Sequence, residues 1–145
     1  MFVLDTNILS ALMAPKPAPE VVAFVSGQPI ELLFTASLCQ AEILSGIAIM
    51  PVGRRRLGFE AAARAMFLED FEGRILPFDS NAAIAYANIF AARRRAGRPA
   101  AAADLMIAAI AYCRNASVVT RNAADFEACN VAVLNPWEKS VGPRE

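Results

Sequence analysis

The chain contains no histidine. That absence removes the commonest general base and the commonest nitrogen ligand for a transition metal. Ser-His-Asp hydrolysis, histidine-dependent ribonuclease chemistry and histidine-bearing zinc sites are excluded together. Cysteine is scarce: Cys39, Cys113 and Cys129 are odd in number, widely spaced and form no CxxC pair. They outline neither a disulfide framework nor a zinc ligand set. Cys39 and Cys113 lie in apolar helical surroundings and read as core fillers in a reducing compartment. An excess of charge is missing too, since 14 basic residues balance 14 acidic ones. No global basic field draws in nucleic acid, so any such contact must come from local patches.

Uninterrupted apolar runs are also lacking. Leu32 to Met50 carries Gln40 and Glu42 in its middle, and a glutamate at a bilayer centre is costly. The N-terminus has no basic stretch, and Asp5 breaks its apolar start, unlike a secretory signal. The expectation is a cytoplasmic protein without a membrane span.

What is present is ample core material, at 57% hydrophobic residues in 145. That length fits a single domain over 1–138, with 139–145 as a loose tail. Strand and helix signals alternate. Phe2–Leu4 reads as a strand, and Thr6 or Asn7 as the cap of a helix to about Met13, broken by Pro15, Pro17 and Pro19. Glu20–Ser26 is a short helix and Leu32–Thr35 a second strand. Ser37 and Gln40 form a capping-box pattern that opens a helix to about Ile49. Helical patterns follow at Arg54–Phe71, from Asp79 or Ser80 to Arg95, and at Ala101–Arg114. Strands are expected at Ile75–Phe78, Ser117–Thr120 and Val131–Leu134, with a short helix at Asn122–Ala128 and Trp137 docking the tail. The alternation implies an α/β fold: a three-layer α/β/α sandwich around a roughly five-stranded, mostly parallel sheet.

Four acids stand out by context. Asp5 ends the apolar run Phe2-Val-Leu, and Glu42 lies in the second turn of the helix after the second strand. Asp104 interrupts an otherwise apolar helix near its start, and Asp125 follows the strand Ser117–Thr120. Carboxyl ends of parallel strands and the helix starts behind them share one edge of the sheet, where sites of open α/β folds form. Clustered carboxylates repel and must protonate unless a cation offsets them. An all-oxygen donor set favours Mg²⁺ or Mn²⁺. Each acid also has a plain structural reading. Asp5 can cap a helix, Glu42 can face solvent, Asp104 can favour the positive end of its helix, and Asp125 can pair with Asn122 in a reciprocal cap.

The segments Leu4-Asp5-Thr6-Asn7, Ala41-Glu42-Ile43, Asp104-Leu-Met-Ile-Ala-Ala and Thr120-Arg-Asn122-Ala-Ala-Asp125-Phe126 together resemble the PIN domain, in particular bacterial VapC and FitB-type toxins. The tail Leu134-Asn135-Pro136-Trp137 is similar to the FitB-like branch. The resemblance spans essentially the whole chain in order. It implies a PIN-like sandwich and a Mg²⁺- or Mn²⁺-dependent ribonuclease, the toxin of a toxin–antitoxin pair. It implies that Asp5, Glu42, Asp104 and Asp125 ligate metal and activate water, that Thr6 or Asn7 supports Asp5, and that Thr120 and Asn122 line the same pocket. Some family members carry the fourth acid where this chain has Asn122, which leaves that role between Asn122 and Asp125. The implied partners are RNA, a cognate antitoxin and a second copy of the chain.

Two other readings remain. One is a PIN-like module that binds or regulates without turnover. The other is a phosphatase using Asp5 as nucleophile, which is disfavoured because Asn7 stands where that pattern has a second Asp. The clusters Arg54-Arg55-Arg56 and Arg93-Arg94-Arg95 with Arg98 are candidate phosphate contacts, or simply solvated helix ends. Phe24, Phe59, Phe67, Phe71 and Phe90 read as packing residues.

Overall fold

The structure, a computed structural model, describes residues 1–138; the expected loose tail 139–145 lies outside them. Five strands form one parallel sheet: β1 (Phe2–Leu4), β2 (Leu33–Ala36), β3 (Ile75–Leu76), β4 (Ser117–Val119) and β5 (Val133–Leu134), in the order β3-β2-β1-β4-β5. β1 sits in the centre, with Leu4 opposite Thr35 on one side and Val119 on the other. Strand order reverses there, so the crevice outside the ends of β1 and β4 is the topological switch point.

Six helices cover the sheet: α1 (Thr6–Met13), α2 (Pro19–Ser26), α3 (Ser37–Ala48), α4 (Arg54–Ala65), α5 (Ser80–Arg95) and α6 (Ala102–Cys113). α4 loosens into a π turn over Met66–Asp70. α6 is apolar nearly all round because it is buried nearly all round, through Leu105 and Ile107 to Ala111. It packs on α5 and β4, while α1 packs on α3. Val3, Leu4, Val118 and Val119 are fully covered, as expected for strands sandwiched on both faces. Among the described residues, no helix is long and apolar enough to cross a membrane.

Several local expectations are corrected. The cap of α1 is Asp5, not Thr6 or Asn7: its carboxylate accepts the Thr6 N–H at 2.8 Å and its carbonyl the Ile8 N–H at 3.0 Å. Ser37 is the first residue of α3 rather than its cap, and no side chain closes that end. Asn122–Ala128 is not a helix but a 3₁₀ turn over Ala123–Phe126 without a side-chain cap, so Asn122 and Asp125 make no reciprocal box. Cys113 is exposed, while Cys39 and Cys129 are buried. Phe67 and Phe71 pack in the core as expected, whereas Phe90 is exposed and stacks on Tyr86.

Candidate active site

The site forms where β1 and β4 end. The Asp5 N–H continues the sheet ladder to the Val119 carbonyl at 2.9 Å, and the chain then turns into α1. This turn buries Asp5 to 5% exposure at the sheet edge. Its carboxylate is hydrogen-bonded on both oxygens. Oδ1 takes the Thr6 N–H, and Oδ2 takes the Thr120 hydroxyl at 2.7 Å and Asn7 Nδ2 at 3.4 Å. Thr120 is a hub, because its hydroxyl oxygen also accepts Asn7 Nδ2 and the Asn122 N–H, each at 3.1 Å. Thr6, Asn7, Thr120 and Asn122 thus stand around the first acid. Thr6 supports it through its backbone, and its own hydroxyl oxygen is buried with no partner among the described residues.

Two further neighbours of Asp5 belong to none of the sequence motifs. The Cys39 thiol lies 4.0 Å from Asp5 Oδ1. Burial and the Asp5 charge push that thiol up to about 12, so it stays a neutral donor rather than a thiolate. The available signal was its place one turn before Glu42 on α3. Thr35, fully buried on β2, donates to the Leu4 carbonyl at 2.8 Å and fixes the strand end just before Asp5.

The other acids face the same region. Asp104 is partly buried in the first turn of α6, Asp125 is partly buried in the 3₁₀ turn after β4, and Glu42 is exposed on α3. Asp104 is pushed up to about 6 by burial, then by the charges of Asp5, Asp125 and Glu42, with Arg93 opposing. Asp5 is also raised, mainly by burial and further by Asp125, against its bonds from Thr120, Thr6 and Asn7. The four acids therefore share one electrostatic field. Among the described residues, no three of them are drawn together as a finished metal cage. Mutual repulsion keeps uncompensated carboxylates apart, and Mg²⁺ typically takes one or two carboxylates and retains water. Carboxylate and hydroxyl oxygens, a neutral thiol and no imidazole fit such a hard cation and do not suit zinc.

The arginine clusters separate into different roles. Arg93 is not a phosphate contact: it is 4% exposed and donates to the Ala124 and Glu127 carbonyls, on either side of Asp125. Arg98 pairs with Glu127, and Arg56 with Glu60 at 2.8 Å. Arg54 and Arg55 line a groove of about 830 Å³ that starts at Thr6 and Glu42 and runs past Met50 to Phe59.

Comparison with known proteins identifies the fold and its family. The PIN domain family model matches residues 2–130. The chain is 38% identical over 138 residues to VapC ribonuclease Y4jK of Sinorhizobium fredii, covering 95% of this chain and 99% of the relative. It is 36% identical over 137 residues to toxin FitB of Neisseria gonorrhoeae, covering 94% and 99% respectively. Among solved structures, FitAB bound to the IR36 DNA fragment contains a chain that superposes with a TM-score of 0.90 at 36% identity, covering 96% of this chain and 97% of that one.

Proposed function

The chain belongs to the PIN-domain family, in its VapC- and FitB-like branch, and on that premise we propose that it is the toxin of a toxin–antitoxin pair, a Mg²⁺- or Mn²⁺-dependent endoribonuclease. The observation that carries this reading is the setting of Asp5, buried at the switch point between β1 and β4 with the Thr6 N–H, the Thr120 hydroxyl and Asn7 Nδ2 on its carboxylate, and with the charges of Asp125, Glu42 and Asp5 all acting on Asp104. Asp5 and Asp104 would hold the cation, Asp125 would complete the site, and Glu42, the most exposed of the four, would bind metal or orient the attacking water. A divalent ion bound there would supply positive charge and lower the pKa of a water, so no histidine base would be required. Thr120 and Asn7 fix the rotamer of Asp5, and Asn122 joins the same network through its N–H. Cys39 adds a neutral donor to the oxygen that the Thr6 N–H already binds.

The named relatives are a ribonuclease and a toxin, and the FitAB structure carries its partner. By that kinship the present chain is held by a cognate antitoxin; that it works in the cytoplasm and pairs with a second copy of itself is part of the same proposal. Exposed Ile84, Phe90 and Tyr112 provide apolar surface for such pairing. The test of the activity is cleavage of a mixed RNA pool in Mg²⁺ by the protein and by Asp5→Asn. Cleavage by the first alone supports the reading; equal cleavage by both removes Asp5 from it.

A further inference from the structure

β4 and β5 end side by side, and one basic and one aromatic residue leave those ends together. Arg121 comes two residues after β4, and Trp137 three residues after β5. The Arg121 guanidinium lies over the Trp137 ring, 4.8 Å from its centroid. Trp137 is half-buried against the core, while Arg121 is exposed. Among the described residues Arg121 enters no ion pair, in contrast to Arg56 and Arg98.

A hydrogen-bond path ties this pair to the first acid. Asn7 donates through Nδ2 to Asp5 Oδ2 and accepts the Arg121 N–H through Oδ1 at 3.0 Å. Asn135 donates through Nδ2 to the Arg121 carbonyl at 3.2 Å and accepts the Trp137 N–H at 2.9 Å. Asn7 thus holds Asp5 and the Arg121 backbone at once, and Asn135 holds the backbones of both Arg121 and Trp137. Trp137 also lies beyond residues 2–130 that the family model matches.

A guanidinium lying over an indole makes no hydrogen bond to the ring and keeps N–H groups available, and a pair of them matches two phosphate oxygens. The need for such a group is electrostatic. The chain has no net charge, and four carboxylates repel a polyanion approaching them. Arg93 cannot offset this by contact, being buried and bonded to carbonyls. Arg54 and Arg55 stand along the groove on the Glu42 side. Arg121 is the exposed cation whose backbone is bonded directly to the network around Asp5.

We propose that Arg121, braced by Trp137, is a subsite for the RNA backbone, holding a phosphate next to the one presented to the acids. The inference rests on the ribonuclease reading above. Trp137 acts by restricting the guanidinium, so that less side-chain freedom is lost when the phosphate binds.

The test uses a fluorescent single-stranded RNA oligonucleotide of mixed sequence and the full chain carrying Asp104→Asn, with anisotropy measured across a KCl series. Arg121→Gln should weaken binding about tenfold at low salt and make the log–log salt slope shallower by about 0.7, the share of one phosphate contact on a single strand. Arg121→Lys should keep the slope and lose affinity by a few-fold. Trp137→Phe should keep both, and Trp137→Leu should lose affinity with the melting temperature of each variant recorded alongside. If the parent protein cuts RNA in Mg²⁺ but Arg121→Gln leaves affinity and slope unchanged, the inference is overturned and the pair is a clasp or a contact for a protein partner. If the parent protein neither binds nor cuts RNA, the ribonuclease reading falls, and this inference with it.

Discussion

The Thr120 hydroxyl donates to Asp5 Oδ2 across 2.7 Å, joining the ends of two adjacent strands through residues 115 positions apart. The same oxygen receives Asn7 Nδ2 and the Asn122 N–H. Thr120→Val keeps the shape and deletes all three bonds. Hydrogen bonds to a charged group contribute about 1.5–3 kcal/mol, and a loss of that order is expected in urea unfolding. Since Thr120 is one of the groups holding Asp5 down, the acid limb of the activity profile should move to higher pH. Thr120→Ser should restore both quantities. An unchanged profile in Thr120→Val would show that the bond does not govern Asp5.

A second prediction concerns pH. Asp104 is raised from 3.8 to about 6, and Asp5 is raised as well. A carboxyl raised in the folded state binds its proton more tightly there than in the unfolded chain. Its contribution to stability is complete below 3.8 and is lost as pH climbs through about 6. These two groups therefore make the metal-free protein less stable at about pH 7.5 than at about pH 5. Mn²⁺ should raise the melting temperature by several degrees at the higher pH and little at the lower. Metal stabilisation that is equal at both, read by differential scanning fluorimetry, would contradict the assignment.

Arg93 holds the segment that carries Asp125. Replacing it with Met leaves the Ala124 and Glu127 carbonyls without their donor and relieves a buried Nε that has no partner among the described residues. A net loss of about 1–3 kcal/mol is expected, with faster amide exchange across Ala124–Glu127 and weaker cleavage. Arg93→Lys should recover part of the stability. Unchanged exchange in Arg93→Met would mean that the turn stands without it.

The fourth acidic position can be assigned by two variants. Asp125 raises both Asp5 and Asp104, whereas Asn122 enters the network through its backbone, its N–H donating to Thr120 and its carbonyl accepting the Asp125 N–H. Asp125→Asn should lower kcat/KM by about a hundredfold while leaving the melting temperature within a few degrees, as for loss of one preorganised charged group. Asn122→Ala should cost less than about tenfold. The reverse ranking would move the role to Asn122.

The acids were legible in the sequence because a charge set in an apolar strand or helix has few reasons to be there. Strand order was not, since alternation reports a parallel sheet without saying which strand lies in the middle. Asp5 illustrates how two readings merge. As the N-cap of α1 it is held in place by one carboxylate oxygen, which leaves the cap and a ligand role compatible in the same side chain. Arg93 misled because three arginines in a row look alike, and its burial depends on the Ala123–Phe126 turn crossing α5 from far along the chain. Cys113 misled for the opposite reason, since the last residue of an apolar helix can still face solvent. The acceptor of Thr35, the Leu4 carbonyl, and the thiol contact of Cys39 depend on strand register and helix phase across the sheet edge, which composition does not report.

The central claim is that the four acids form one divalent-cation site. Calorimetric titration of the protein with Mn²⁺ at about pH 7, repeated on Asp5→Asn, Glu42→Gln, Asp104→Asn and Asp125→Asn, tests it most directly. Saturable binding to the parent protein is expected, weakened by at least about tenfold in Asp5→Asn and Asp104→Asn. No binding to the parent protein, or equal affinity in those two variants, would contradict it.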